Sequence, residues 1–287
     1  MARRASSAHM DSPTLTRRAL LRLAGRALAA PVAAPLVARL IPLATMGAAG
    51  CGGGPAPERL TPAPSGATAS SRTSVGSDSR PRRSPPGIHP LGLGGERDGV
   101  LVIPERAGPH PLILMLHGAG GSGRRAVRRL TAVATELGCA ILAPDSRGAT
   151  WDAVTGPFGP DVRFLERALA EAAVCCELDV ARTAAAGFSD GATYALALGR
   201  ANGDRFSHVL AFSPGFLIPT RRVGAPRIFV SHGRQDAVLP IDSCSRVMVP
   251  RLQREGYEVR YREFDGGHEA PPAVVREGVE HFVSDGS

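Results

Sequence analysis

Thr183-Ala184-Ala185-Ala186-Gly187-Phe188-Ser189-Asp190-Gly191 decides how the rest of the chain is read. Small apolar residues run into a G-x-S-x-G pentapeptide, and a helical stretch near 190–202 follows. Strand, tight turn and helix form the context in which such a pentapeptide presents its serine. The turn leaves little room for side chains two residues before and two after the serine, and Gly187 and Gly191 meet that condition. Ser189 is then expected at the turn tip, with its hydroxyl exposed above the sheet. Alone the pattern is weak in a chain holding 34 Gly. Its position between a strand and a helix makes Ser189 the candidate nucleophile.

Working outward, short apolar runs alternate with longer amphipathic ones. Val100–Ile103, Leu112–Leu116, Ala140–Ala143, Thr183–Ala186, Val209–Phe212, Arg227–Val230 and Val259–Phe264 read as strands. Helices are expected near 124–137, 161–176, 190–202, 243–254 and 272–283. In the second of these, Val162, Leu165, Leu169 and Ala173 recur at helical steps. Strands alternating with helices predict an α/β domain, with a mostly parallel central sheet covered on both faces.

A serine needs a base to take its proton. His268 sits in Phe264-Asp265-Gly266-Gly267-His268, just past the last expected strand, where the glycine pair lets the loop turn back over the strand ends. His281, inside the final helix, and His232 are the rivals. The acid is expected after the preceding strand, where Phe229-Val230-Ser231-His232-Gly233-Arg234-Gln235 leads to Asp236. A carboxylate there would orient the imidazole and stabilise its charged form. Asp242 is the alternative, although Ile241-Asp242-Ser243 reads as a helix N-cap. An oxyanion needs preset N–H donors. The Asp190 amide is one candidate. The second is the Ala119 amide, with Gly118 or Gly120 as alternatives, in the loop His117-Gly118-Ala119-Gly120-Gly121.

In chain order, His117–Gly121, Gly187–Gly191, His232–Asp236 and Gly266–His268 resemble the α/β-hydrolase superfamily, and within it the phospholipase/carboxylesterase group that includes acyl-protein thioesterases. The resemblance covers about residues 98–284. It implies an eight-stranded type of sheet, a Ser189–His268–Asp236 triad and hydrolysis of small or medium carboxylic esters through an acyl-enzyme, without a cofactor. Asp190 stands where those thioesterases usually have Gln. The Ser-Asp-Gly elbow is also similar to secreted feruloyl esterases and polyhydroxybutyrate depolymerases. A peptidase is a further enzyme reading, and a catalytically silent binding protein is the reading from outside enzymology. Caps in this superfamily usually enter between the strands ending near Phe212 and starting near Arg227. Only Ser213–Pro226 is available, so no cap domain is expected. Trp151 is expected to wall the substrate pocket, with Phe216 on the other side.

Charge divides the chain. Residues 1–86 hold 12 Arg and 3 acidic residues, whereas 87–287 hold 22 Arg and 23 acidic residues. The basic excess therefore lies outside the expected domain, which argues against a nucleic-acid partner. Residues 1–51 read as an export signal, with Arg17-Arg18 ahead of an Ala/Leu/Pro-rich apolar stretch. Arg39 and three prolines within that stretch argue against a membrane-spanning helix. Ala48-Ala49-Gly50-Cys51 resembles a lipobox, which would place a lipid on Cys51 and the protein on a membrane surface. Without the lipid, the product is secreted. Residues 52–87 read as a Gly/Pro/Ser-rich tether and 88–287 as the catalytic domain. Cys139, Cys175, Cys176 and Cys244 give no disulfide framework, and no Cys/His cluster has metal-ligand spacing.

Overall fold

A computed structural model describes Leu60 and residues 83–284. Eight strands form one sheet in the order β1-β2-β4-β3-β5-β6-β7-β8. They are β1 (Gly87–Pro90), β2 (Gly99–Ile103), β3 (His110–Leu116), β4 (Ala140–Pro144), β5 (Leu178–Phe188), β6 (His208–Phe212), β7 (Arg227–Gly233) and β8 (Val259–Phe264). The pairs β1–β2 and β2–β4 are antiparallel and every other pair is parallel. All seven expected strands are present. Only β1 was not expected. Its four residues, Gly-Ile-His-Pro, are too short and too exposed to show an apolar period.

The helices are α1 (Gly123–Ala126), α2 (Thr131–Glu136), α3 (Asp152–Thr155), α4 (Pro160–Cys175), α5 (Asp190–Ala201), α6 (Ser245–Arg254) and α7 (Pro272–Ser284), with a 3-10 turn at Val127–Arg129. The expected helix over 124–137 is thus broken into three pieces. Thr131 and Thr135 turn their hydroxyls back onto the carbonyls of Val127 and Thr131, competing with a regular ladder. The single turn of α3 is too short to carry a period.

Side chains two apart on a strand share a face, and the core divides accordingly. Leu112, Leu114 and Leu116 of β3 pack with Val162 and Leu165 of α4 and Leu196 of α5. Ile113 and Met115 lie in the opposite layer, with Val127, Leu130, Val279 and Phe282. Every residue of α5 is buried. Residues 213–226 contain no helix, so no cap stands between β6 and β7.

The domain begins earlier than composition suggested. The Ser84 N–H donates to Cys175 O at 2.9 Å. Leu60 is buried among the apolar residues on the α5 side of the sheet, and its N–H donates to Asn202 Oδ1 at 2.8 Å. A segment poor in large apolar residues can still dock through one of them, because a buried Leu contributes about 1.5–3 kcal/mol. The export signal, the lipobox and the rest of the tether up to residue 82 lie outside the described residues. Among the described residues, no helix is long and apolar enough to cross a membrane.

Candidate active site

Strand β5 ends in the tight turn that its glycines require. A Cβ on Gly187 would meet the Gly191 carbonyl at 2.2 Å, and a Cβ on Gly191 would meet Leu116 O at 2.1 Å. Ser189 sits between them at φ 57, a region that disfavours side chains, and caps α5. The cost is held by neighbours: the Ser189 N–H donates to Phe212 O at 3.0 Å, and the Ser189 carbonyl accepts from Ala192 and Thr193.

Loops after β7 and β8 bring two more groups to the same end of the sheet. His268 Nε2 lies 2.9 Å from Ser189 Oγ, and His268 Nδ1 lies 2.7 Å from Asp236 Oδ2. Asp236 Oδ1 accepts the N–H groups of Val238 and Leu239 at 2.9 and 2.8 Å. Burial alone would raise the Asp236 carboxyl. Hydrogen bonds from His232, His268 and Leu239 outweigh it and hold the group well below the usual carboxylate range. The His268 ring also packs on Phe188, with centroids 4.8 Å apart, and Phe188 in turn lies beneath the guanidinium of Arg129 at 4.5 Å.

The loop after β3 is fixed by its histidine. His117 Nδ1 donates to Gly118 O at 2.7 Å, and its Nε2 accepts the Ser146 N–H at 3.0 Å. Burial lowers the His117 pKa, which favours this neutral form. The Gly121 N–H donates to the same Gly118 carbonyl at 3.0 Å. In a trans peptide the carbonyl and the following N–H point in opposite directions. The Ala119 N–H is therefore turned away from these donors, and it meets no acceptor among the described residues. The Gly120 N–H is taken by Ala149 O at 2.7 Å, which removes Gly120 from the alternatives. A Cβ on Gly118 would lie 3.3 Å from Ser189 Cβ, so this loop rests against the serine. The Asp190 N–H belongs to the first turn of α5, where helical amides lack an intrahelical partner.

The Asp190 side chain accepts from Thr150 Oγ1 at 2.6 Å, and burial raises its pKa. Sequence reasoning missed Thr150, as it missed the Ser146 and Arg97 contacts that brace His117. No local pattern marks such contacts.

Trp151 does not wall an open pocket. It is fully buried, its Nε1 donates to His117 O at 2.8 Å, and it packs on His117 and Tyr194. It supports the His117 loop from beneath. Phe216 is half-buried against Leu239 and Cys244, beside the Asp236 loop. Asp242 does not cap α6, since the cap position is Cys244. Its carboxylate is instead exposed and pairs with Arg246 Nη1 at 2.7 Å. His281 is remote from these groups, near His208 and Phe229. Cys139, Cys175, Cys176 and Cys244 are free and buried. Among the described residues, no cluster of ligating side chains could hold a metal ion.

No family model matches the chain, and no curated protein matches it in sequence. Solved structures do match. Esterase PE8 is 20% identical at a TM-score of 0.55, over 67% of this chain and 99% of that one. A fluorophosphonate-binding serine hydrolase of Staphylococcus aureus is 14% identical at 0.55, over 70% of this chain and 98% of that one. A Bacillus cereus carboxylesterase is 17% identical at 0.53, over 68% and 97%. At these identities the likeness is one of fold. With the mixed eight-stranded sheet, its helices on both faces and the serine turn after β5, the described domain has the α/β-hydrolase fold.

Proposed function

We propose that the protein is a serine hydrolase that cleaves carboxylic esters through an acyl-enzyme. The observation that carries this reading is the chain of contacts Ser189 Oγ, His268 Nε2, His268 Nδ1 and Asp236 Oδ2, at 2.9 and 2.7 Å. Ser189 Oγ attacks the ester carbonyl carbon while its proton passes to His268 Nε2. Asp236 stays ionised because its hydrogen bonds hold its pKa down, and it stabilises the imidazolium. The Ala119 and Asp190 amides hold the oxyanion, their N–H groups preset by the Gly118 carbonyl contacts and by the helix start. The intermediate collapses, and the alcohol leaves with the proton from Nε2. Water then adds to the acyl-enzyme, gives a proton to Nε2, and the acid departs as Ser189 regains its hydrogen.

The missing cap supports esters with short acyl groups. Each buried methylene adds about 0.8 kcal/mol, but a site walled only by loops such as that of Phe216 stops rewarding length once the chain reaches solvent. Some of the fold relatives are named as esterases or carboxylesterases, in line with this reading. Labelling by a fluorophosphonate probe, lost in Ser189→Ala, tests the reading directly. Failure of the native protein to label would overturn it. A screen of ester chain lengths then tests the acyl preference, which should peak at short chains and then level off or fall.

For the N-terminal part we propose export guided by Arg17-Arg18, with a lipid on Cys51 holding the enzyme at a membrane surface. The motif Ala48-Ala49-Gly50-Cys51 supports this. Cys51→Ser should move the protein from the membrane fraction to the soluble one.

A further inference from the structure

Several arginines of the described domain are matched with acids. Arg200 meets Glu255 at 2.7 Å, Arg246 meets Glu263 at 2.7 Å, Arg260 meets Glu277 at 2.9 Å and Arg276 meets Glu136 at 2.6 Å. The run Arg124-Arg125-Ala126-Val127-Arg128-Arg129 sets four arginines in six residues. Its four guanidinium groups are exposed, and among the described residues none has a carboxylate partner. Arg125 and Arg129 are four apart, and burial, with the Arg125 charge beside it, disfavours the charged form of Arg129. Like charges this close cost stability.

One member of the run is held in a defined place next to the proposed site. The Arg129 guanidinium lies 4.5 Å over the Phe188 ring, and that ring lies 4.8 Å from the His268 imidazole. Phe188 is also the residue that precedes Ser189. Stacking occupies the face of the guanidinium and leaves its N–H edges available. Partial desolvation and the Arg125 charge both press on Arg129. An anion would relieve both, and its hydrogen bonds to a guanidinium are charge-assisted.

Building on the esterase reading above, we propose that the site selects esters carrying a second, anionic oxygen group, a carboxylate or a phosphate, which binds Arg129 with Arg125 beside it. The neutral end of the molecule reacts at Ser189 while the charged end lies toward α1 and the 3-10 turn. Arg129 thereby sets specificity and takes no part in bond making.

Three 4-nitrophenyl esters of equal length test this: the hexanoate, the monoester of adipic acid, and an acyl chain ending in phosphate. With the full-length protein, kcat/KM should favour at least one anionic ester over the hexanoate by about tenfold, the scale of a hydrogen bond to a charged group. The preferred anion tells carboxylate from phosphate. In Arg129→Gln the ratio should fall toward unity through KM. In Arg260→Gln, where a β8 guanidinium loses its Glu277 partner, it should persist. Added salt should erode the preference, because an exposed guanidinium is screened. Ser189-dependent hydrolysis with no anionic preference, or a preference unchanged in Arg129→Gln, would overturn this inference and leave the esterase reading standing. No Ser189-dependent hydrolysis of any of the three, together with no fluorophosphonate labelling, would overturn both.

Discussion

His232 Nε2 lies 3.2 Å from Asp236 Oδ2, the same oxygen that meets His268 Nδ1. His232 Nε2 also faces Leu239 O at 2.8 Å, and its Nδ1 faces Ser245 Oγ at 2.6 Å. A carbonyl and a carboxylate both need a donor, so Nε2 carries the proton and the Ser245 hydroxyl donates to Nδ1. Once a rival for the base, His232 is instead fully buried and held against Asp236. His232→Ala should therefore lower kcat on a simple ester by about 10²-fold, the cost of a small misplacement. His232→Gln, whose amide can still donate, should recover part of it. Full activity in a folded His232→Ala protein would show that Asp236 needs no such support.

Ser189→Ala or His268→Ala should each lower kcat by about 10⁴–10⁶-fold, and the double variant should lose little more, because the residues act as one unit. The comparison requires only steady-state rates on one ester. Additive losses would mean that the two side chains serve different steps.

Asp236→Asn should keep the fold and lose several orders of magnitude in rate, since the amide cannot stabilise an imidazolium. Asp242→Asn removes only an exposed partner of Arg246. It should change stability by about 1 kcal/mol or less and leave the rate near that of the native protein. The reverse pattern of rates would exchange the two roles.

Acid should test Asp236 in a second way. Its folded carboxyl lies below the ordinary value of 3.8, so the ionised group adds stability above that value. That contribution is lost as pH falls through the folded pKa. Denaturant melts should find the native protein more stable than Asp236→Asn at about pH 5, and the gap should begin to close as pH falls below about 4. A gap that closes near neutrality would mean that the carboxylate is not held in its ionised form.

Burial pushes the thiols of Cys139, Cys176 and Cys244 up to about 12, 11 and 11. Thiolate is the reactive form. A Cys51→Ser protein treated with a disulfide reagent at about pH 8 should react slowly when folded and release its full thiol count in denaturant. Rapid labelling of the folded protein would contradict the buried setting of these groups.

The sheet was legible because its strands are short apolar runs set between turn signals, and the serine turn because two glycines mark where backbone must pass backbone. His268 and Asp236 could be found by their position after successive strands. Trp151 could not be placed the same way. Its indole answers a carbonyl thirty-odd residues earlier, at His117, and no local pattern distinguishes that bond from a pocket wall. The Asp242 cap failed because a short side chain before a helix suits either a cap or an i,i+4 ion pair, and Arg246 provided the latter. The exposed strand β1 and the single turn α3 are too brief for periodicity to register.

Leu60 changes how force would pass through the molecule. Its side chain is buried in the domain and its N–H is held by Asn202, while the chain joins the domain again at Ser84 through Cys175. Residues 61–82 are thus bracketed by two attachments to the same body. Any tension arriving from the N-terminal side meets the Leu60 contact first, at the end of α5 remote from Ser189. Until that contact yields, a force applied ahead of Leu60 enters the domain at Leu60 and not at Ser84.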